Sequence, residues 1–284
     1  MSLPPFLDVD EEFRDPERAA VAVLPVAYDA TSTWRKGADR GPAALLEAST
    51  QVELYDIETG TEPYRRGIAT LDELRFDGPP DALADEVERR TAAILQRDQL
   101  PIILGGEHSV SIGAMRAVAA AFPGMSVLQI DAHADTRESY HGSPCNHACV
   151  MARARELGPI VQVGIRSLDA SELEALDAER VFWAHELHGG DEWMAQVVEL
   201  LSDDVYVTID LDGFDPAYVP ATGTPEPGGL SWRQVNDLLA AVTASRRVVA
   251  FDVVELLPQP GDHASDFLAA KLVHRLLAMI FARR

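Results

Sequence analysis

Short apolar segments alternate with segments of helical periodicity along most of the chain, and this alternation limits the fold more than any other feature. The apolar runs predict strands at residues 18–26, 101–104, 126–130, 160–165, 181–184, 205–211 and 247–254. The segments between them predict helices at residues 43–48, 81–97, 109–122, 147–157, 171–176, 192–201, 231–244 and 265–282. This order predicts an α/β fold in which helices cover both faces of a mostly parallel sheet.

The composition is that of an ordinary globular protein, and we assign residues 1–284 to one domain. The chain is 47% hydrophobic and 25% charged, without a change in composition that would mark a linker. Residues 1–18 lack the apolar core of a signal peptide, and no apolar run approaches the roughly 18 residues of a membrane span. The only cysteines, Cys145 and Cys149, are better explained as small buried side chains than as a disulfide or a metal site. We therefore expect a cytoplasmic protein with no membrane partner.

The formal net charge of −22 argues against a nucleic-acid partner. Phosphate backbones are bound by clustered lysines and arginines, and no such cluster is visible in the sequence. An acidic surface could steer a cationic substrate toward its site. It could equally serve solvation, for example in a saline habitat, so the charge alone selects neither explanation.

Three potential metal ligands, Asp131, His133 and Asp135, directly follow the apolar strand predicted at residues 126–130. Their spacing of two residues places them on one side of an extended chain. Neighbouring carboxylates repel one another unless a cation lies between them, and a divalent metal ion is the usual cation. A helix-capping aspartate and a buried core histidine are the simpler explanation of the same segment.

Two other predicted strands end in side chains of the same kind. The strand at residues 205–211 carries Asp210 and Asp212 on one face, and the strand at 101–104 is followed by paired glycines and His108. The glycines would allow a sharp turn that brings His108 to the same rim, at the strand ends where open α/β sheets place their sites. Two imidazoles and four carboxylates exceed what one tetrahedral ion needs, and they suit manganese, magnesium, iron or zinc. A pair of ions about 3.5 to 4 Å apart would use them all and would activate water.

Two further residues are expected near this rim. His147 follows the metal segment after a short loop and could transfer a proton near neutral pH, although a surface histidine would have the same spacing. Glu255 ends the apolar strand at residues 247–254, and a carboxylate that leaves a buried strand needs a positive partner. That partner could be a metal ion, an arginine or a cationic substrate.

These motifs together resemble those of the ureohydrolase family, which contains the arginases and agmatinases. The matching segments occur in the family's order across more than half of the chain, at residues 105–109, 131–135, 208–216, 220–229 and 251–255. The resemblance implies a three-layer α/β/α sandwich around an eight-stranded, mostly parallel sheet. It also implies two Mn²⁺ ions per subunit and a homo-oligomer, commonly a trimer or a hexamer.

The resemblance also implies a role for each candidate residue. The metal ligands would form two sets that share two bridging aspartates: His108, Asp131, Asp135 and Asp210 for one ion, and His133, Asp131, Asp210 and Asp212 for the other. His147 would be the proton shuttle, and Glu255 would pair with the substrate guanidinium through two parallel hydrogen bonds. The implied reaction is the hydrolysis of a small cationic guanidino compound to urea and an amine.

The predicted substrate depends on one position that departs from the arginase pattern. Arginases carry an asparagine two residues after the Asp-Ala-His-x-Asp segment, whereas this chain has Arg137, which matches the agmatinase pattern. The loop at residues 25–34 is also similar to that of agmatinases. We therefore expect agmatine as the substrate, cleaved to putrescine and urea. N1-aminopropylagmatine, 4-guanidinobutyrate and 3-guanidinopropionate are alternatives that the sequence pattern does not exclude.

Two other classes of protein are compatible with the expected fold. A metal-dependent deacylase would hold a single zinc ion with aspartate and histidine, and it would not need the full ligand set found here. A non-catalytic binding protein would be expected to lack at least one ligand or His147, and none of these residues is missing. The complete set therefore favours a ureohydrolase.

Overall fold

A nine-stranded sheet forms the centre of the computed structural model, which describes residues 3–187 and 190–282. Its strands are β1 (Val21–Ala27), β2 (Ile68–Thr70), β3 (Leu74–Arg75), β4 (Leu100–Gly105), β5 (Ser126–Ile130), β6 (Ile160–Ile165), β7 (Val181–Trp183), β8 (Asp204–Asp210) and β9 (Arg247–Val254). Eight strands follow the order β2-β1-β4-β9-β8-β5-β6-β7, and β3 pairs with β1. All of these strand pairs are parallel, which confirms the predicted α/β class.

Seven α-helices among the described residues cover the two faces of the sheet: α1 (Gly41–Ser49), α2 (Pro80–Leu95), α3 (Ser111–Ala121), α4 (Val150–Ala154), α5 (Glu192–Leu200), α6 (Trp232–Ser245) and α7 (Ala264–Ala282). Helices α1, α5, α6 and α7 pack on one face, and α2, α3 and α4 pack on the other. In β1, Val21 and Val23 belong to the first core, whereas Ala22 and Leu24 belong to the second. This period-two division confirms the predicted three layers.

The structure differs from the sequence predictions mainly in short elements. Strands β2 and β3 were not predicted, because two or three residues are too few to establish a period-two pattern, and they bring the sheet to one strand more than the eight expected. The helix predicted at 171–176 is a 3₁₀ helix, Ala170–Ala175. The helix predicted from residue 147 starts as a 3₁₀ turn, His147–Cys149, before α4.

Strands from the two halves of the chain are neighbours in the sheet, since β4 pairs with β9 and β5 pairs with β8. This interleaving supports the assignment of residues 1–284 to one domain, which stays a prediction. Cys145 and Cys149 are buried and unpaired, and burial raises the pKa of each thiol to about 11. Within the described ranges, none of the helices has both the length and the hydrophobicity that a membrane crossing requires.

Candidate metal centre

Four neighbouring strands in the middle of the sheet, β4, β9, β8 and β5, carry polar side chains at their carboxyl ends. His108 follows β4, Asp131 follows β5, Asp210 is the last residue of β8, and Glu255 follows β9. Because parallel strands end at the same edge, side chains that are up to 147 residues apart in sequence meet here. The predicted common rim is therefore built by the most central part of the fold.

The first group of candidate ligands surrounds His108. Its Nδ1 atom lies 3.0 Å from a carboxylate oxygen of Asp135, 3.3 Å from one of Asp131 and 3.6 Å from one of Asp210. All four side chains are buried. Nitrogen and oxygen atoms this close around one point could hold a metal ion.

The second group lies beside the first and shares one residue with it. The Nδ1 atom of His133 is 3.0 Å from Asp212 Oδ2 and 3.7 Å from Asp131 Oδ1. The other oxygen of Asp131, Oδ2, faces His108. Asp131 thus offers one oxygen to each group, which is what a carboxylate bridging two ions requires.

Hydrogen bonds behind His108 show how its ring is oriented. The Nε2 atom lies 2.9 Å from Thr208 Oγ1, which in turn donates a hydrogen bond of 2.6 Å to Asp252. Because the single hydroxyl proton of Thr208 is used on Asp252, Thr208 accepts from Nε2–H of the histidine. Nδ1 then presents a lone pair to the carboxylates, and it has no hydrogen-bond partner among the described residues. A buried lone pair facing several carboxylate oxygens fits a cation at their centre.

The electrostatics of the cluster lead to the same conclusion. Burial and the neighbouring Asp131 raise the pKa of Asp135 to about 6. Burial, Asp212 and Asp131 raise the pKa of Asp210 well above its ordinary value. Burial opposes protonation of His108, yet the carboxylates of Asp131 and Asp135 outweigh it and raise the pKa of that imidazole. Groups that retain or gain protons in this way favour added positive charge, which a divalent ion would supply.

The backbone is strained at two of the candidate residues. Asp135 has φ 53° and Glu255 has φ 65°, both in the left-handed region that side chains other than glycine rarely adopt. Conformations of this kind cost about 1 to 3 kcal/mol each and occur preferentially at functional sites. The strain supports a functional role for both residues.

The paired glycines before His108 serve close packing rather than a turn. Neither Gly105 nor Gly106 has a positive φ, so the predicted sharp turn does not explain them. A Cβ atom on Gly106 would lie 1.9 Å from the carbonyl oxygen of Tyr28. Gly106 also accepts a hydrogen bond of 2.8 Å from the backbone N–H of Glu255, so the ends of β4 and β9 stay in contact.

His147 lies in the same pocket and is held by two residues that the sequence analysis did not identify. Thr31 Oγ1 donates to Glu107 at 2.9 Å, and it lies 3.0 Å from Nδ1 of His147. Because its hydroxyl proton is directed to Glu107, Thr31 accepts from Nδ1–H, which leaves Nε2 as the basic atom of His147. Burial, followed by the positive charges of His108 and His133, lowers the pKa of His147 to about 4.

Glu255 is a partly buried carboxylate that lines the pocket. Its Oε1 accepts a hydrogen bond of 2.8 Å from the backbone N–H of His108. Burial and the nearby Glu107 raise its pKa well above the ordinary value. No arginine or lysine in the described ranges forms an ion pair with it, so a cationic ligand would supply the partner that this carboxylate lacks.

A cavity of about 290 Å³ connects these residues to the surface. Its mouth contains Trp34, Arg137, Tyr140 and Asp169. The guanidinium of Arg137 lies over the Tyr140 ring, 4.4 Å from the centroid, and its Nε atom is 3.4 Å from a carboxylate oxygen of Glu172. Arg137 is therefore one of the residues that a ligand in the cavity could contact.

The structure brings all eight predicted site residues together. Seven of them line the cavity, and Asp131 is buried beneath them: His108, Asp131, His133, Asp135, His147, Asp210, Asp212 and Glu255. The sequence analysis missed the residues that hold these side chains in place, namely Thr31, Glu107, Gln129, Thr208, Thr224 and Asp252. Thr208 and Asp252 stand inside apolar strands, where a polar residue is the available sequence signal.

A buried set of acidic and imidazole ligands at the centre of a parallel sheet is typical of metal-dependent hydrolases. Comparison with known proteins defines the family: residues 19–279 match the arginase family, and the chain belongs to it. Members of this family depend on a pair of metal ions. The chain is thus a ureohydrolase, a hydrolase that acts on guanidino groups.

Individual relatives are similar over nearly their whole length. An N(1)-aminopropylagmatine ureohydrolase of Synechocystis is 38% identical, and the match covers 91% of this chain and 88% of the relative. An agmatinase of Pyrococcus horikoshii is 31% identical, with 93% of each chain covered. The crystal structure of agmatine ureohydrolase of Thermoplasma volcanium superposes with a TM-score of 0.89 at 33% identity, over 99% of this chain and 96% of that one. The family assignment favours a ureohydrolase over the deacylase and binding-protein alternatives.

Proposed function

We propose that this enzyme hydrolyses the guanidinium group of N1-aminopropylagmatine to urea and the corresponding polyamine, with agmatine as the second candidate substrate. One observation carries the reaction: two ligand groups share Asp131 close to Glu255, a partly buried carboxylate that forms no ion pair with an arginine or lysine of the described residues. The first feature suits activation of water, and the second suits binding of a guanidinium. Their adjacency supports hydrolysis at the guanidinium carbon.

We propose two Mn²⁺ ions as the cofactor. The ligand set contains imidazole nitrogens and carboxylate oxygens and no thiolate, a combination that suits manganese. The proposed ligands are those implied by the family resemblance, with Asp131 and Asp210 shared: His108, Asp131, His133, Asp135, Asp210 and Asp212. When bound, such a pair of ions supplies an activated water molecule at neutral pH.

Glu255 and His147 would act on the substrate itself. The carboxylate of Glu255 would accept two parallel hydrogen bonds from the planar guanidinium and hold its carbon in position for attack. His147 has Nε2 free because Thr31 occupies Nδ1, so it can pass a proton to the departing amine nitrogen. Both side chains line the pocket and are only partly exposed, which limits their contact with water.

Relatives named N(1)-aminopropylagmatine ureohydrolase support the substrate preference, because they are more similar to this chain than the named agmatinases are. The original prediction of agmatine therefore takes second place, supported by those agmatinases and by the Thermoplasma structure. At the mouth, Asp169 is exposed and lies 4.0 Å from the Arg137 guanidinium, and its carboxylate could also pair with a cationic tail. Arg35 and Arg137 are the basic lining residues that a guanidino acid such as 4-guanidinobutyrate could use.

We further propose a homo-oligomer, a trimer or hexamer, and a cytoplasmic location. The first is based on the family resemblance, and the second on the sequence of residues 1–18 and the two unpaired cysteines. Light scattering on the purified protein would test the first, because a monomeric mass would contradict it.

The reaction and the substrate can be tested together by urea release. The protein, reconstituted with Mn²⁺, would be assayed with N1-aminopropylagmatine, agmatine, arginine and 4-guanidinobutyrate. The highest kcat/KM with N1-aminopropylagmatine would support the proposal, and a higher value with agmatine would support the second candidate. Preference for 4-guanidinobutyrate would assign a carboxylate-binding role to Arg35 or Arg137, and absence of urea from every compound would contradict the proposed reaction.

A further inference from the structure

Two buried glutamines face each other in the interior of the sheet. Gln129 of β5 and Gln162 of β6 are register partners, and 0% and 1% of their surfaces are exposed. Neither forms part of the candidate pocket. Burying an amide is costly unless it is hydrogen-bonded, so a pair of glutamines in otherwise apolar strands requires a reason.

Hydrogen bonds connect this glutamine pair to the metal segment. Gln129 Nε2 donates to Asp131 Oδ2 at 2.7 Å and to the carbonyl oxygen of His133 at 3.1 Å. Gln162 Nε2 donates to Gln129 Oε1 at 2.6 Å and to the carbonyl oxygen of Ala134 at 2.9 Å. The two side chains thus contact three of the five residues from Asp131 to Asp135.

The orientation of each amide follows from what its neighbours can accept. The Asp131 carboxylate and the backbone carbonyls accept hydrogen bonds only, so both glutamines must direct their NH₂ groups toward them. If the amide of Gln129 were reversed, its oxygen would face Asp131 Oδ2 and its NH₂ would face the NH₂ of Gln162. Gln162 therefore fixes the orientation of the Gln129 amide, and the Gln129 amide fixes the orientation of the Asp131 carboxylate.

Fixing Asp131 matters because its two oxygens serve different groups. Oδ2 receives the hydrogen bond from Gln129 and lies 3.3 Å from His108. Oδ1 receives a hydrogen bond of 2.6 Å from the backbone N–H of His133 and lies 3.7 Å from the ring of that residue. One donor on each oxygen leaves a single rotamer in which each oxygen faces one ligand group.

We propose that Gln129 and Gln162 are positioning residues that make Asp131 a bridging ligand, so that the two metal ions bind as a pair. This inference rests on the proposed binuclear site. Partners that orient a metal ligand in this way typically contribute about tenfold to hundredfold to metal affinity. This contribution should appear chiefly in the affinity for the second ion, which completes the pair.

Metal titrations of three leucine variants test the proposal. Gln129→Leu and Gln162→Leu remove each amide with little change in volume, and Gln162→Leu touches no proposed ligand side chain. Gln99→Leu is the matched control, because among the described residues the buried amide of Gln99 donates only to the carbonyl oxygens of Pro16 and Ala19. Each metal-free protein would be titrated with Mn²⁺ by calorimetry, its thermal unfolding followed, and its EPR spectrum recorded with two equivalents of Mn²⁺.

The wild-type protein and Gln99→Leu should bind two Mn²⁺ ions and give the spectrum of an exchange-coupled pair. Gln129→Leu should bind the second ion about tenfold to hundredfold more weakly and show uncoupled Mn²⁺, and Gln162→Leu should show the same change to a smaller degree. Wild-type affinity and coupling in both variants would overturn the proposal, as would an equal loss in Gln99→Leu. A wild-type protein that binds no pair of ions would overturn the binuclear site itself, and this inference with it.

Discussion

The inner and outer walls of the pocket are built in different ways. The inner wall consists of side chains at strand ends, such as His108, which is buried and hydrogen-bonded back into the sheet through Thr208. The outer wall consists of loop residues, such as His147, which is held by Thr31 from a distant loop. The side chain of His133, which lies between the walls, is 25% exposed. We infer that the inner wall sets metal affinity and that the outer wall controls proton transfer and substrate choice.

Asp131→Asn should give the largest effect, since the two oxygens of Asp131 face the two ligand groups separately. An amide cannot provide two anionic oxygens, so we expect loss of the ion pair and a fall in kcat/KM of at least about a thousandfold. Asp135→Asn changes a ligand of the His108 group alone and should lower kcat/KM by a smaller factor. Elemental analysis of bound manganese and urea release would measure both changes, and equal losses in the two variants would contradict the special position of Asp131.

Glu255→Gln should separate substrate positioning from metal binding. The variant retains the side-chain volume but loses the charge that would hold a guanidinium. We expect kcat/KM to fall about a hundredfold to a thousandfold, while the number of bound Mn²⁺ ions stays the same. Steady-state kinetics with parallel metal analysis would measure this, and wild-type kcat/KM would contradict the proposed role.

Thr208→Val should weaken metal binding at the inner wall without changing a residue that lines the cavity. The variant removes the acceptor of His108 Nε2–H, so that ring is no longer held with Nδ1 toward the carboxylates. We expect Mn²⁺ affinity to fall about tenfold to hundredfold. Thr91→Val is a suitable control, because Thr91 is buried in α2 and its hydroxyl has no hydrogen-bond partner among the described residues. Equal affinities in both variants, measured by calorimetry, would contradict the orienting role of Thr208.

His147→Asn should alter the pH dependence of stability and is the smallest of these effects. The pKa of His147 is lowered from 6.5 to about 4 in the folded protein, so the unfolded chain takes up the proton first as the pH falls. The contribution of the neutral ring is therefore complete above pH 6.5 and is lost between pH 6.5 and 4. Between pH 7 and pH 5, the free energy of unfolding of the wild type should fall by about 1 to 2 kcal/mol more than that of His147→Asn.

Urea unfolding at the two pH values would measure this difference. His141→Asn, which changes an exposed histidine beside Tyr140, is the matched control and should follow the wild type. If His147→Asn also follows the wild type, the account of a partly buried His147 that stays neutral is wrong.

The two walls also differ in how far the sequence predicted them. The inner wall was predicted because Asp131, His133 and Asp135 recur at a spacing of two directly after an apolar strand, and the parallel order placed the strand ends together. The α/β class and the three layers followed from the same alternation. Strands as short as β2 and β3 carry too few residues for such a pattern, so they were missed.

Residues that position the ligands were not predictable in the same way. Thr31 lies 116 residues from His147, and no local pattern connects the two. Gln129 and Gln162 face each other only once β5 and β6 are paired in register. The position of Arg137 over Tyr140 likewise depends on loop geometry. Predicting contacts of this kind requires the tertiary structure, whereas strand ends can be predicted from the periodicity of the sequence.

The central claim is that two divalent ions bind between these walls and share Asp131. Crystals grown with Mn²⁺ and measured at the manganese absorption edge would test it most directly. We predict two anomalous peaks about 3.5 to 4 Å apart, one beside His108 and one beside His133, with Asp131 between them. A single peak, or peaks away from these residues, would contradict the account.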